Sequence, residues 1–234
     1  MDADLRGRVA LVVGGSGGIG REVAIRLAAR GASLRIHGRR PERVDALLES
    51  LSRPHEHRGL AADLSGESGP ERLDELLRFA DSPDLLVFAY GPETLLPLPE
   101  LGSKQWVQAT LANLVLPGIA VSALLPSMCS RNWGRVVLFG ATGTERIRGF
   151  RDDPAYGAAK TALASLVRSA DLAVDGKDVA VNCVSPGYAD TEYRHWGRGL
   201  TAGAVADVVS WLCPSGPASV RGAVVPVRSR GVSV

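Results

Sequence analysis

Short apolar runs rich in Val, Ile and Leu alternate along this chain with longer stretches in which apolar residues return every three to four positions. The runs read as strands at 9–13 (VALVV), 33–37 (SLRIH), 85–89 (LLVFA), 135–139 (RVVLF), 179–184 (VAVNCV) and 223–227 (AVVPV), with a weaker one at 57–61 (HRGLA). Helices are predicted between them at 19–29, with Gly31 just past the end, at 41–51, with Pro41 in the first turn, and at 70–79, 106–129, 154–174 and 202–212. Continuous apolar strands are buried on both faces, and helices between them supply the crossovers. The pattern therefore predicts an α/β, doubly wound, seven-stranded parallel sheet with helices on both faces. No repeat, low-complexity tract or interdomain linker breaks it, so a single domain over residues 1–234 is expected.

One segment departs from ordinary strand-to-helix punctuation. VALVVGGSGGIGREVA (9–24) places five glycines within seven residues, directly between the first strand and the first helix. A plain turn needs one glycine. At a helix start the leading N–H groups lack intrahelical partners and the helix dipole is positive, an arrangement that suits a phosphate, and side chains there would hold a pyrophosphate away from the backbone. The turn satisfies both GxGxxG (Gly15, Gly17, Gly20) and GxxxGxG (Gly14, Gly18, Gly20). A dinucleotide is expected against Gly14, Ser16, Gly17, Gly18, Ile19 and Gly20.

The second strand ends in RIHGRRPE. An acidic residue there would accept hydrogen bonds from the ribose hydroxyls of NAD; Gly38 stands instead, followed by Arg39 and Arg40, which suit a 2′-phosphate. NADP (NADPH) is the expected cofactor, although arginines are ordinary before a helix in an arginine-rich chain and Gly17 carries no basic group.

Further along, PAYGAAKTALASLV sets Tyr156 and Lys160 four residues apart at the start of a helix, on one face. A positioned tyrosine can give its proton to a carbonyl oxygen that gains negative charge, and a neighbouring ammonium eases loss of that proton. Lysine is rare in the chain, occurring only at 104, 160 and 177, which makes Lys160 less readily an incidental surface residue.

Composition removes other classes. With 27 basic and 25 acidic residues interspersed, net +2, neither a nucleic acid nor a membrane surface is an expected partner. The longest apolar stretch, 114–126, is interrupted by Pro117 and is too short to span a bilayer. Three scattered cysteines fit neither disulfides nor zinc, Cys183 reads as a small buried residue, and the four histidines show no metal spacing. The acidic N-terminus lacks a signal-type core, so the cytoplasm is the expected compartment.

Taken together these motifs resemble the short-chain dehydrogenase/reductase family over nearly the whole chain. The resemblance implies a Rossmann-type fold, with ADLS (62–65) placing Asp63 and Leu64 near the adenine and NCVSPGYADTE (182–192) carrying Pro186 and Gly187 past the nicotinamide. It implies that Lys160 also holds the ribose hydroxyls and that Asn113 anchors a water in a proton relay, and it places Tyr90 and Gly91 of VFAYGPE beside the cofactor where the family usually has Asn-Ala-Gly. It also exposes departures. Ala141 stands where the family supplies a serine that orients the carbonyl, so either Thr142 or Thr144 must provide the hydroxyl if one is provided at all. The segment 193–200 is shorter than the usual lid, and the C-terminal VPVRSRGVSV lacks the usual glycine pair.

The expectation is an NADPH-dependent reductase of a ketone. Tyr90, Tyr188, Tyr193 and Trp196 could favour a cyclic or polyketide-like substrate, or could simply pack. A non-redox enzyme of the same fold, doing dehydration, cyclisation or aldol-type chemistry, and an impaired binding or scaffold protein stand beside it. By fold analogy the chain is expected to form a dimer or tetramer.

Overall fold

The structure, a computed structural model, describes residues 4–192, 195, 197 and 200–229. Tyr193 and Trp196, and most of the shortened segment at 193–200, lie outside the described residues.

Seven parallel strands form one sheet in the order β3-β2-β1-β4-β5-β6-β9: β1 Val9–Val13, β2 Ser33–Gly38, β3 Arg58–Ala61, β4 Leu85–Phe88, β5 Gly134–Phe139, β6 Val179–Pro186 and β9 Val224–Val227. All seven expected strands are present, each within a residue or two of its predicted bounds. A second pair, β7 Ala189–Asp190 and β8 Leu200–Thr201, was not predicted, because two residues carry no periodicity.

Alternation along each strand sorts its residues into two cores. Ala10 and Val12 of β1, Leu85 and Val87 of β4, and Val137 and Phe139 of β5 face one layer. Their neighbours Leu11, Val13, Leu86, Phe88, Val136 and Leu138 face the other. Helices α1 (Gly18–Ala29), α2 (Pro41–Ser50) and α7 (Ala202–Trp211) cover the first; α3 (Gly69–Ala80), α4 (Ser103–Thr110), α5 (Leu116–Ser130) and α6 (Pro154–Ala173) cover the second.

The fourth predicted helix is one 28-residue element, Ser103–Ser130, interrupted by a π turn at Leu111–Val115 in which the Leu116 N–H reaches back five residues to the Leu111 carbonyl. Pro117 explains the site of the irregularity, since it offers no N–H to the Asn113 carbonyl four residues back. This corrects the reading of 114–126 as too short for a membrane span: by length and composition the whole helix could cross one. In the fold, 44% of its most apolar window is buried, with Leu116, Ala120, Leu124 and Met128 in the second core.

At the opposite end of the sheet from the glycine turn, Arg135 is fully buried. Its guanidinium donates to the carbonyls of Gly134, Asp178, Pro214 and Gly216 and pairs with the Asp178 carboxylate at 3.0 Å. Trp133 lies between the Arg8 and Arg135 guanidiniums, 3.9 and 4.5 Å from its ring centroid.

Candidate active site

Strand order reverses between β1 and β4, whose following segments leave in opposite directions and open a crevice at the carboxyl ends. The glycine turn lines it. Gly14 has φ +78°, and a Cβ on it would come within 2.9 Å of the Tyr90 nitrogen. A Cβ on Gly20 would collide with the Gly14 carbonyl oxygen, so the turn and the first helix approach each other as only glycine permits. Gly17 and Gly18 lead into α1, which has no side-chain cap and no carboxylate in its first turn, leaving the leading N–H groups for an anion; Ile19 packs on the first core.

Gly38 is explained by its neighbour. Any Cβ there would collide with the Ser16 side chain, so Ser16 fills the space that an acidic residue at 38 would need. Arg39 and Arg40 are exposed at the start of α2, free of the core. At the end of β3, Asp63 accepts the Ser65 N–H at 3.0 Å, which holds its carboxyl below the usual value, and Leu64 is buried beside it. Tyr90 is half-buried, and burial pushes its hydroxyl up to about 12. Two clefts of about 470 and 440 Å³ flank this turn, one bounded by Gly18 and Glu22, the other by Leu64 and Tyr90; neither is lined by Tyr156.

The catalytic candidates gather around Gly91. Lys160, 3% exposed, donates to the Phe139 carbonyl at 2.8 Å, and its Nζ lies 5.7 Å from the centroid of the Tyr156 ring. Burial lowers the Lys160 ammonium to about 8. Asn113 sits on the π turn, fully buried. Its Nδ2 donates to the carbonyls of Pro92 and Ala109, both at 3.0 Å, while its Oδ1 has no hydrogen-bond partner. A Cβ on Gly91 would stand 2.5 Å from Lys160 Nζ and 2.6 Å from that Asn113 Oδ1, so donor and orphaned acceptor converge on the space glycine leaves.

The two threonines after β5 differ. Thr144, 2% exposed, points into the protein, where its hydroxyl accepts the Ala141 N–H at 3.1 Å and donates to the Ala141 carbonyl at 2.8 Å. That leaves Thr142, half-buried, whose hydroxyl donates to the Pro186 carbonyl at 3.1 Å. Pro186 ends β6, and the Gly187 N–H is held by the Val227 carbonyl at 2.7 Å. Arg228, in the C-terminal stretch that lacks the glycine pair, pairs with Glu145, whose other oxygen accepts the Ser185 hydroxyl at 2.8 Å.

Sequence reasoning missed this Glu145–Arg228 pair, because partners 83 positions apart leave no local pattern. It also missed Asp153, the residue preceding α6, which accepts the Thr94 N–H at 2.9 Å and ties the Tyr90 loop to the helix carrying Tyr156. The His37 ring, which touches Gly14, was visible only as a polar residue ending a buried strand. Among the described residues no His, Cys, Asp and Glu cluster could hold a metal. Cys183 is buried, its thiol pushed up to about 11 by burial.

Comparison with known proteins gives the same frame. Residues 8–197 match the family model described as short chain dehydrogenase. The chain is 29% identical to the 3-oxoacyl-[acyl-carrier-protein] reductase FabG of Pseudomonas aeruginosa, over 96% of this chain and 97% of that protein. It is 32% identical to human dehydrogenase/reductase SDR family member 2, mitochondrial, over 81% of this chain and 68% of the relative. Among solved structures, a 3-oxoacyl (acyl-carrier-protein) reductase from Agrobacterium tumefaciens with NADP bound superposes with a TM-score of 0.84 at 27% identity, covering 96% of this chain and 94% of the other. The chain belongs to the short-chain dehydrogenase family, oxidoreductases acting on CH–OH and C=O groups.

Proposed function

We propose that the protein is an NADPH-dependent reductase of a ketone, with Tyr156 as proton donor, Lys160 as its electrostatic partner, Asn113 as the anchor of a relay water and Thr142 in place of the serine. The observation that carries this reading is the meeting of the Lys160 ammonium and the unpartnered Asn113 Oδ1 beside Gly91. A water there would satisfy both and reach toward Tyr156.

The residues present fit the dinucleotide. Gly14, Ser16, Gly17, Gly18, Ile19 and Gly20 would hold its pyrophosphate, Asp63, Leu64 and Tyr90 its adenine end, Gly91 and Lys160 the nicotinamide ribose, and Pro186 and Gly187 the nicotinamide. Ser16 packed against Gly38, with Arg39 and Arg40 following, supports the 2′-phosphate form. When bound, the cofactor supplies the hydride. The chain's own task is to place a carbonyl oxygen at Tyr156 and Thr142, to give it a proton from Tyr156, and to keep the ammonium of Lys160 close while that proton leaves.

The named reductase relatives support a 3-oxo ketone as substrate, with cyclic and polyketide-like ketones in the same class. Kinship with a bacterial acyl reductase supports the cytoplasm, and the exposed Val107 and Val115 on the long helix support a dimer or tetramer. Ala141 favours one second reading, proton-transfer chemistry without redox. Following NADPH absorbance with 3-oxoacyl thioesters and cyclic ketones tests the choice. The proposal expects oxidation that Tyr156→Phe abolishes, whereas product formation without NADPH consumption would install the non-redox reading.

A further inference from the structure

His37, the penultimate residue of β2, lies directly beneath the glycine turn and is 1% exposed, yet nothing in the reduction chemistry uses it. Its Nδ1 lies 3.2 Å from the Gly14 nitrogen and its Nε2 lies 2.9 Å from the Ala62 carbonyl oxygen. Its own carbonyl accepts the Gly15 N–H at 2.8 Å. An amide N–H only donates and a carbonyl only accepts, so Nδ1 must be bare and Nε2 must carry the proton. One tautomer of the neutral ring meets both demands. The imidazolium keeps the bond to Ala62 but loses the other, because it sets an N–H of the ring against the N–H of Gly14.

We propose that His37, fixed as its neutral Nε2–H tautomer, is a positioning residue that presets the cofactor cradle, so that dinucleotide affinity is lost when this ring is protonated. The inference rests on the dinucleotide reading above and extends it to regulation by pH.

The ring links the two ends of the cradle. Gly14 is the first glycine of the turn, held at positive φ with no room for a side chain, and without His37 its N–H would lose its acceptor. Ala62 immediately precedes Asp63 and Leu64 on the adenine side. One side chain therefore fixes the phosphate-facing turn to the end of β3. The groups around it are few: the Asp63 carboxylate favours the imidazolium, Arg39 lies close enough to Asp63 to oppose it, and the Tyr90 ring meets His37 edge-on at 6.4 Å between centroids. Burial outweighs them and lowers His37 from its ordinary 6.5, with the Ala62 carbonyl and Asp63 acting the other way. Because the folded protein prefers the neutral ring, the stability this preference contributes is complete above 6.5 and declines as pH falls from there through the lowered folded value, whereas affinity, a property of the folded state, declines only as pH falls through that lowered value.

The test is NADP⁺ affinity, read by tryptophan fluorescence between pH 8 and 5, for the wild type and three variants, together with imidazole ¹⁵N spectra of the wild type. His37→Asn keeps an acceptor near Nδ1 but cannot titrate. His37→Gln keeps the reach to Ala62 and loses Gly14, and His37→Ala loses both. The expected result is a wild-type acid loss about tenfold larger than that of His37→Asn, whose curve retains the titration of the 2′-phosphate. The Gln and Ala variants should bind about tenfold more weakly than the Asn variant at pH 8, and the spectra should show the Nε2–H form at pH 7. Parallel curves for wild type and His37→Asn, or an Nδ1–H ring, overturn the proposal. If no nucleotide binds at any pH, the dinucleotide reading fails separately. The ring still decides its own case: an Nε2–H form with an acid loss of thermal stability absent from His37→Asn supports the staple, and lack of either refutes it.

Discussion

A methyl group on Gly91 would sit 2.5 Å from Lys160 Nζ and 2.6 Å from Asn113 Oδ1. The smallest possible side chain would thus occupy the place where an ammonium and an unpartnered amide oxygen meet. Gly91→Ala is expected to lower kcat at least tenfold by displacing Lys160 or expelling the bridging water, since misplacements of about 1 Å cost on the order of 100-fold. Steady-state kinetics on a folded variant checks this, and unchanged kcat would remove the convergence from the mechanism.

The two threonines make opposite predictions. Thr142→Val, which removes a hydroxyl that turns its proton from the Pro186 carbonyl to the substrate oxygen, should reduce turnover about 100-fold, the scale of one lost oxyanion donor, with little change in stability. Thr144→Val removes a buried hydroxyl that satisfies both polar groups of Ala141, and should cost about 1–3 kcal/mol of stability. Turnover and denaturant unfolding of the pair separate a catalytic hydroxyl from a structural one.

Lys160 sets the pH dependence. Burial brings its pKa down to about 8, so the free protein keeps the ammonium below that pH and loses it above. If the charge is what eases proton loss from Tyr156, kcat/KM should decline as pH rises through about 8. A profile flat to pH 9.5 would show that the charge is dispensable.

Stability at the far end of the sheet depends on Arg135. Its guanidinium holds four backbone carbonyls and the Asp178 carboxylate, so Arg135→Met removes the donor that these five acceptors share. A loss of about 3 kcal/mol and a Tm lower by roughly 10 °C are expected by calorimetry.

How far the sequence reaches can be seen in these same residues. The strands were legible because most are short runs rich in Val, Ile and Leu, and the glycine turn because five glycines have no other economical use there. Tyr156 and Lys160 were legible as a helical pair. What escaped depends on contacts between distant segments: the π turn around Asn113 follows from Pro117 but leaves no periodic mark, and the enclosure of Thr144 beside a half-buried Thr142 needs the path of the loop after β5. Arg135 stood in the sequence only as the first residue of the RVVLF strand, yet it is the most enclosed cation among the described residues. His37 was noted only among histidines without metal spacing, because its two partners, Gly14 and Ala62, follow other strands distant in sequence.

The most direct test of the central claim is equilibrium binding of NADPH and NADH to the purified wild-type protein. Ser16 against Gly38, with Arg39 and Arg40 beside them, predicts NADPH binding at least tenfold tighter than NADH. Preference for NADH, or binding of neither, would contradict the account.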